Sequence, residues 1–137
     1  MTTEHFPNEL KISPIQGGRW KYRKLLADYQ YRMTPEARRI TVPAGCITDY
    51  ASIPRILWPL IPAWGQHGPA AIVHDYLYDR GGRIKIPDPD APAHSVRNTR
   101  KRADKIFLIA MRQLGVGWLK RHVMYRAVRL FGGPAYG

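Results

Sequence analysis

Two short segments constrain this chain more than anything else in it: HDYLY at His74 to Tyr78, and ADKIF at Ala103 to Phe107. Each lies on a stretch with helical periodicity, and in each an ionisable residue sits on the apolar stripe. Ala70, Ala71, Leu77 and Tyr78 occupy the i±3 and i±4 positions of His74, while Phe107, Leu108 and Met111 stand on the side of Asp104. Residues three and four apart share a helix face, so both polar groups are expected to point inward. A buried carboxylate without a partner is costly, and a buried imidazole supplies the donor it needs. The expectation is a His74–Asp104 hydrogen bond, which forces two helices to pack face to face.

The rest of the chain reads as one α+β domain over residues 1–137. Residues 1–43 are strand-rich. Leu10 to Ile15 precedes a turn at Gly17-Gly18, Trp20 and Tyr22 alternate with basic residues, and Ala27, Tyr29, Tyr31 and Met33 continue at period two. Arg39 to Val42 adds a short β-branched run after Pro35. These runs predict an N-terminal antiparallel sheet of three to four strands. Residues 44–68 form a Pro- and Gly-rich loop carrying Ile56, Leu57, Trp58, Leu60, Ile61 and Trp64, with Ser52 placed to cap a short helix from Ile53. Residues 69–131 hold about three helices, near Pro69 to Asp79, Thr99 to Leu114 and Val116 to Phe131. Between the first two, Arg80 to Val96 has no convincing period and reads as an exposed excursion.

Composition sets limits on function. A hydrophobic share of 45% is ordinary for a globular chain, and no run of about 18 apolar residues predicts a transmembrane segment. MTTEHFPNEL lacks a signal-peptide pattern, and the single cysteine, Cys46, excludes an intramolecular disulfide and fits a cytoplasmic product. Twenty-two Lys and Arg against ten Asp and Glu give +12, which favours nucleic acid, anionic lipid or an acidic protein as partner. No helix-turn-helix or zinc spacing accompanies the charge, so nucleic-acid binding rests on charge alone.

The basic residues have two foci. Arg97, Arg100, Lys101 and Arg102 precede Asp104; Lys120, Arg121, Arg126 and Arg129 decorate the third helix. That helix carries an apolar stripe of Leu119, Val123, Ala127 and Leu130. The stripe reads as core with the charges as its wet side, although a basic amphipathic helix can also lie on an anionic membrane.

His74, Asp75, Tyr78 and Asp104 make one candidate centre. Asp104 can fix the tautomer of His74 and leave the second ring nitrogen for a water. Asp75 projects about 100° away on the same helix and can face a different object, such as a cation. Tyr78 shares the stripe of His74, and its hydroxyl is within reach of Asp104. The same four residues also read as a core network that only ties two helices together. Asp49 in TDYASIP serves either as a second carboxylate near His74 or, with Thr48 and Ser52, as a turn and cap. His67 stands at the mouth of the HD helix, and Asp88 and Asp90 read as solvated loop residues.

HD followed by two residues and Tyr, with AD and an aromatic on a second helix, resembles the secreted phospholipase A2 superfamily. The disulfide-free version in parvovirus capsid proteins is especially similar, with alanines before HD and an ADxxF helix. The resemblance implies that His74 activates a water, Asp104 orients it, Tyr78 hydrogen-bonds Asp104 and Asp75 ligates calcium during hydrolysis of a phospholipid ester. The chain departs from that superfamily in its glycines: Gly65 and Gly68 fall directly before the helix, not in a separate earlier loop. Further calcium oxygens would then come from Asp49 or from carbonyls of the Pro43–Gly68 loop.

A second resemblance covers nearly the whole chain. ITVPAGCITDYASIPRILWPL, GPAAIVHDYLY, RADKIFLIAM and MYRAVRLFG, in that order, are similar to an uncharacterised family of small bacteriophage and prophage proteins classed as a domain of unknown function. It implies a phage or prophage origin and a place in the bacterial host cytoplasm or the virion. Two function classes follow as expectations: a lipid esterase acting on anionic phospholipid at the bacterial envelope, or a structural protein of the virion or tail that contacts other virion proteins.

Overall fold

The computed structural model describes residues 3–14, 23–48 and 66–136. Five short strands come first: β1 (Ile12–Pro14), β2 (Arg23–Leu25), β3 (Tyr29–Tyr31), β4 (Ile40–Val42) and β5 (Ile47–Thr48). Helix α1 (Gly68–Arg80) follows, then β6 (Lys85–Asp88), β7 (Ala91–Arg97), α2 (Arg100–Gln113) and α3 (Trp118–Phe131). Among the described residues the architecture is α+β with three α-helices and small antiparallel sheets.

The strands do not join into one N-terminal sheet. β1, β2 and β5 pair in the order β1-β2-β5, while β3 and β4 form a separate pair with Tyr29 opposite Val42. The cause lies in the bend at Leu26 to Asp28. The Asp28 carboxylate accepts from the Ala44 amide at 2.8 Å and its carbonyl accepts from Nδ2 of Asn8 at 2.7 Å. Those bonds turn the chain, so the period-two run from Ala27 starts a new pair instead of extending β2. Phe6 stacks against Tyr29 and Tyr31 at 5.6 and 4.9 Å between ring centroids, sealing the buried side of that pair. Residues 49–65, with the expected short helix and the large apolar groups of the loop, lie outside the described residues, as do Gly17, Gly18, Trp20 and Tyr22.

The segment expected to be an exposed excursion is a β-hairpin. Ile86 faces Val96 and Lys85 faces Arg97, with an irregularity at Pro87 and Asp88. Pro87 and Pro92 are tolerated because both strands are edges of a two-stranded sheet. Asp88 closes the turn by accepting from the Asp90 amide, and Ile86 plugs into the core.

The helices begin and end where the sequence marks them, to within two residues. Pro69 opens α1, and Gly81, at φ 55°, ends it in a conformation that favours glycine. Asn98, almost wholly buried, donates through Nδ2 to the carbonyls of Leu77 and Gly81 and so satisfies that end. Thr99 caps α2 by accepting from the Arg102 amide. Gly115, at φ 83°, reverses the chain into α3.

α1 is the central element. It packs on β4 and β5 on one side and on α2 on the other, and α2 packs in turn on α3. Its buried residues, Ala70 to His74 with Leu77 and Tyr78, therefore point in several directions. α3 differs from expectation. Met124, Ala127 and Val128 face the core, whereas Leu119 and Leu130 are 69% and 75% exposed. Periodicity defines a stripe but not the side on which the neighbouring helix lies, and here Leu119 and Leu130 face water while Val123 and Ala127 pack inward.

Candidate functional site

α1 and α2 bring His74 and Asp104 together as their stripes require. Nε2 of His74 stands 2.8 Å from Oδ1 of Asp104, and the two side chains are 2% and 0% exposed. Tyr78, one turn after His74, donates its hydroxyl to the same oxygen at 2.5 Å. The His74 ring lies 4.1 Å from that of Tyr78 and 4.7 Å from that of Phe107, so aromatic contacts hold it on two sides.

The second oxygen of Asp104 is taken by a residue that sequence reading left on the surface. Arg129 of α3 donates through Nη1 to Oδ2 at 2.8 Å, its own side chain one-third exposed. The only hint of this in the sequence was the need of a buried carboxylate for several donors. Arg100 of α2 reinforces the link by donating to the carbonyls of Val128 and Arg129 at the end of α3. One carboxylate thus gathers donors from α1 and α3.

The charges follow from this packing. Burial works against an ionised Asp104, but hydrogen bonds from His74, Tyr78 and Arg129 and the charge of His74 outweigh it, holding its carboxyl below the usual carboxylate range. Burial likewise opposes a charged His74, yet the carboxylates of Asp104 and Asp75 overcome that cost and raise its pKa. Burial first, and then Asp104, raise Tyr78, so it remains a phenol and a donor.

Nδ1 of His74 is buried and has no hydrogen-bond partner among the described residues. Oδ1 of Asp75 lies 3.8 Å away, too far for a direct hydrogen bond between them. An oxygen about 2.8 Å from both atoms fits that separation. Asp75 also lines a cleft between α1 and the strands, shared with Leu25, Val42, Cys46, Ile47, Tyr76 and Asp79. Its carboxylate therefore stands between the cleft and the imidazole.

The remaining expected residues fall elsewhere. Asp49 and Ser52 lie outside the described residues. His67 is fully buried directly before α1 and not open at its mouth; burial first, then Lys120, push it down to about 4. Asp90 pairs with Lys105 of α2. Among the described residues no group of three or more His, Cys, Asp or Glu is placed to hold a metal ion, so they do not by themselves fit calcium, which takes six to eight oxygens.

An α+β protein with a buried His–Asp–Tyr–Arg network is what the fold and the site define. The chain belongs to the family described as Protein of unknown function (DUF1353), whose model matches residues 23–128. That span holds His74, Asp75, Tyr78 and Asp104 and stops one residue before Arg129. The chain is also similar to an uncharacterized protein, y4jT, of Sinorhizobium fredii (strain NBRC 101917 / NGR234), with 30% identity over 111 residues. The match takes in 80% of this chain and 28% of that relative's length. No solved structure matches the chain.

Proposed function

We propose that the chain is a phage- or prophage-encoded hydrolase resembling phospholipases A2, cleaving an ester of anionic phospholipid at the bacterial envelope. The buried Nδ1 of His74, which has no hydrogen-bond partner among the described residues, carries this reading. A pair kept only to tie helices gains nothing from a buried nitrogen left without a partner, which would cost about 1–3 kcal/mol. Asp104 only accepts, so it holds the proton of neutral His74 on Nε2 and leaves the lone pair on Nδ1.

In this reading Nδ1 takes a proton from a water whose oxygen adds to the ester carbonyl carbon. The imidazolium returns that proton to the departing alkoxide. One water is consumed, and a fatty acid and a lysophospholipid leave. Leu25, Val42, Ile47 and Ile72 give the cleft beside Asp75 apolar walls suited to an acyl chain. Calcium enters only as an ion that Asp75, and Asp49 outside the described residues, would help to hold. No step above runs through it.

The test is fatty-acid release from anionic vesicles by wild type and His74→Ala, each with calcium and with a chelator. Release should fall by about 100-fold or more in the variant. Equal release from both proteins removes the hydrolase reading, and release that survives the chelator removes the metal from it.

The bond from Arg129 favours a second reading, a non-enzymatic virion or tail-associated protein in which the network ties three helices. Under it His74→Ala lowers thermal stability and wild type leaves vesicles intact. Absence of the chain from purified particles, by mass spectrometry, removes this option.

A further inference from the structure

α3 leaves four large apolar side chains in water. Trp118, Leu119, Leu130 and Phe131 are 64%, 69%, 75% and 64% exposed. Single exposed leucines are ordinary, but four such groups on one 14-residue helix are not. At 100° per residue, Leu119, Arg126 and Leu130 follow one another along one face, with Val123 between them packed partly on the core; Phe131 stands about 100° round the helix from Leu130, and Val128 lies opposite Leu119. Trp118 begins the neighbouring row and lies 4.7 Å from the ring of His122. The charge around this face has one sign. From Lys105 to Gly137 there is no Asp or Glu; Lys105 and Arg129 are paired with Asp90 and Asp104, and Arg112, Lys120, Arg121 and Arg126 supply the further positive charge.

We propose that this face of α3 docks on the surface of an anionic phospholipid bilayer. Leu119 and Leu130 enter the boundary between headgroups and acyl chains, and Trp118 sits at the headgroup level where its ring is favoured. Arg126, between the two leucines, lays its methylenes along the apolar row and sends its guanidinium to lipid phosphates. None of the described helices is long and apolar enough to cross a membrane, so α3 lies on the bilayer and does not span it.

Charge and apolarity together choose this occupant. A second copy of the chain would bring Arg126 and its neighbours against their own kind in a molecule of net charge +12. Nucleic acid would engage the cations but gives exposed Leu119, Leu130 and Phe131 no apolar surface to leave water for. An anionic lipid surface answers both halves of the face. The docking itself does not depend on His74 being catalytic.

The experiment is co-sedimentation of the full chain with vesicles of phosphatidylcholine, alone or mixed with phosphatidylglycerol. Wild type should sediment with the mixed vesicles and little with phosphatidylcholine. Leu119→Glu with Leu130→Glu should weaken that binding by more than about tenfold. Arg126→Glu alone should weaken it at low salt and less at high salt. Both variants alter exposed side chains and should keep the wild-type melting temperature; should the double variant unfold, Arg126→Glu still decides. His74→Ala should bind as wild type does, which separates docking from hydrolysis. Three results overturn the proposal: no binding of wild type to the mixed vesicles, unchanged binding by both α3 variants, or a wild-type dimer that the Leu119/Leu130 variant turns into monomers.

Discussion

Arg129 donates to Oδ2 of Asp104 at 2.8 Å, the one carboxylate oxygen that His74 and Tyr78 leave open. The two partners have unequal stakes. Asp104 is fully buried, and removing it strands the buried imidazole of His74 and the phenol of Tyr78 at once. Arg129 is one-third exposed and can rehydrate when its partner goes. Urea denaturation should therefore find Asp104→Ala destabilised by about 3–5 kcal/mol and Arg129→Ala by about 1 kcal/mol or less. Equal losses would show that the guanidinium is not the dispensable member.

Stability should also carry the signature of three titrating groups. The pKa of His74 is raised from 6.5, so its contribution is whole below about 6.5 and is lost as pH rises through the folded value. His67 is pushed down to about 4, so the unfolded chain binds the extra proton, and its contribution is whole above 6.5 and lost on descent toward 4. Asp104 is lowered from 3.8, and its contribution disappears only as pH falls through that lowered value. The thermal midpoint should peak near pH 6.5, with an acid-side slope of up to about 1.4 kcal/mol per pH unit. Calorimetry should find that acid side flattened in His67→Phe and the alkaline side flattened in His74→Gln. A wild-type midpoint still climbing above neutral pH contradicts the charge assignment of His74.

The same raised pKa limits any hydrolysis. A base must be neutral, and His74 between two carboxylates holds its proton above the usual imidazole range. Fatty-acid release should rise with pH through an apparent pKa above 6.5. Asp75→Asn removes one of the carboxylates that hold the proton, so the limb should move to lower pH. A limb that stays in place in Asp75→Asn would detach Asp75 from the imidazole.

What the sequence made legible was the part governed by period and by punctuation. His74, Tyr78 and Asp104 meet because spacings of three and four residues fix a face, and Pro69, Thr99 and Gly115 mark helix ends through their own backbone preferences. What stayed hidden depended on partners distant in the chain. Asp28 breaks the strand run through bonds to Asn8 and Ala44, so the expected single sheet divides. The β6–β7 hairpin was masked by prolines that an edge pair accepts and a central strand would not. Arg129 reads as one more surface cation until α3 is seen to swing its end onto α2, and the same orientation turns Leu119 and Leu130 outward.

Gly132, just past α3, shows how closely that end is fitted. A Cβ placed there would stand 2.5 Å from the carbonyl oxygen of Val128 and 2.9 Å from Oη of Tyr78. Its φ of −80° is open to any residue, so the restriction is space and not backbone conformation. Gly132→Ala must therefore push the last turn of α3 away from Tyr78, and that turn carries Arg129 to Asp104 and receives Arg100 at its carbonyls. The expected loss is about 1–3 kcal/mol, as for other overpacked sites. Because the strain reaches the network through Arg129, the loss should be non-additive with Arg129→Ala in a double-mutant cycle. Strict additivity would mean that the helix end yields locally and leaves the carboxylate undisturbed.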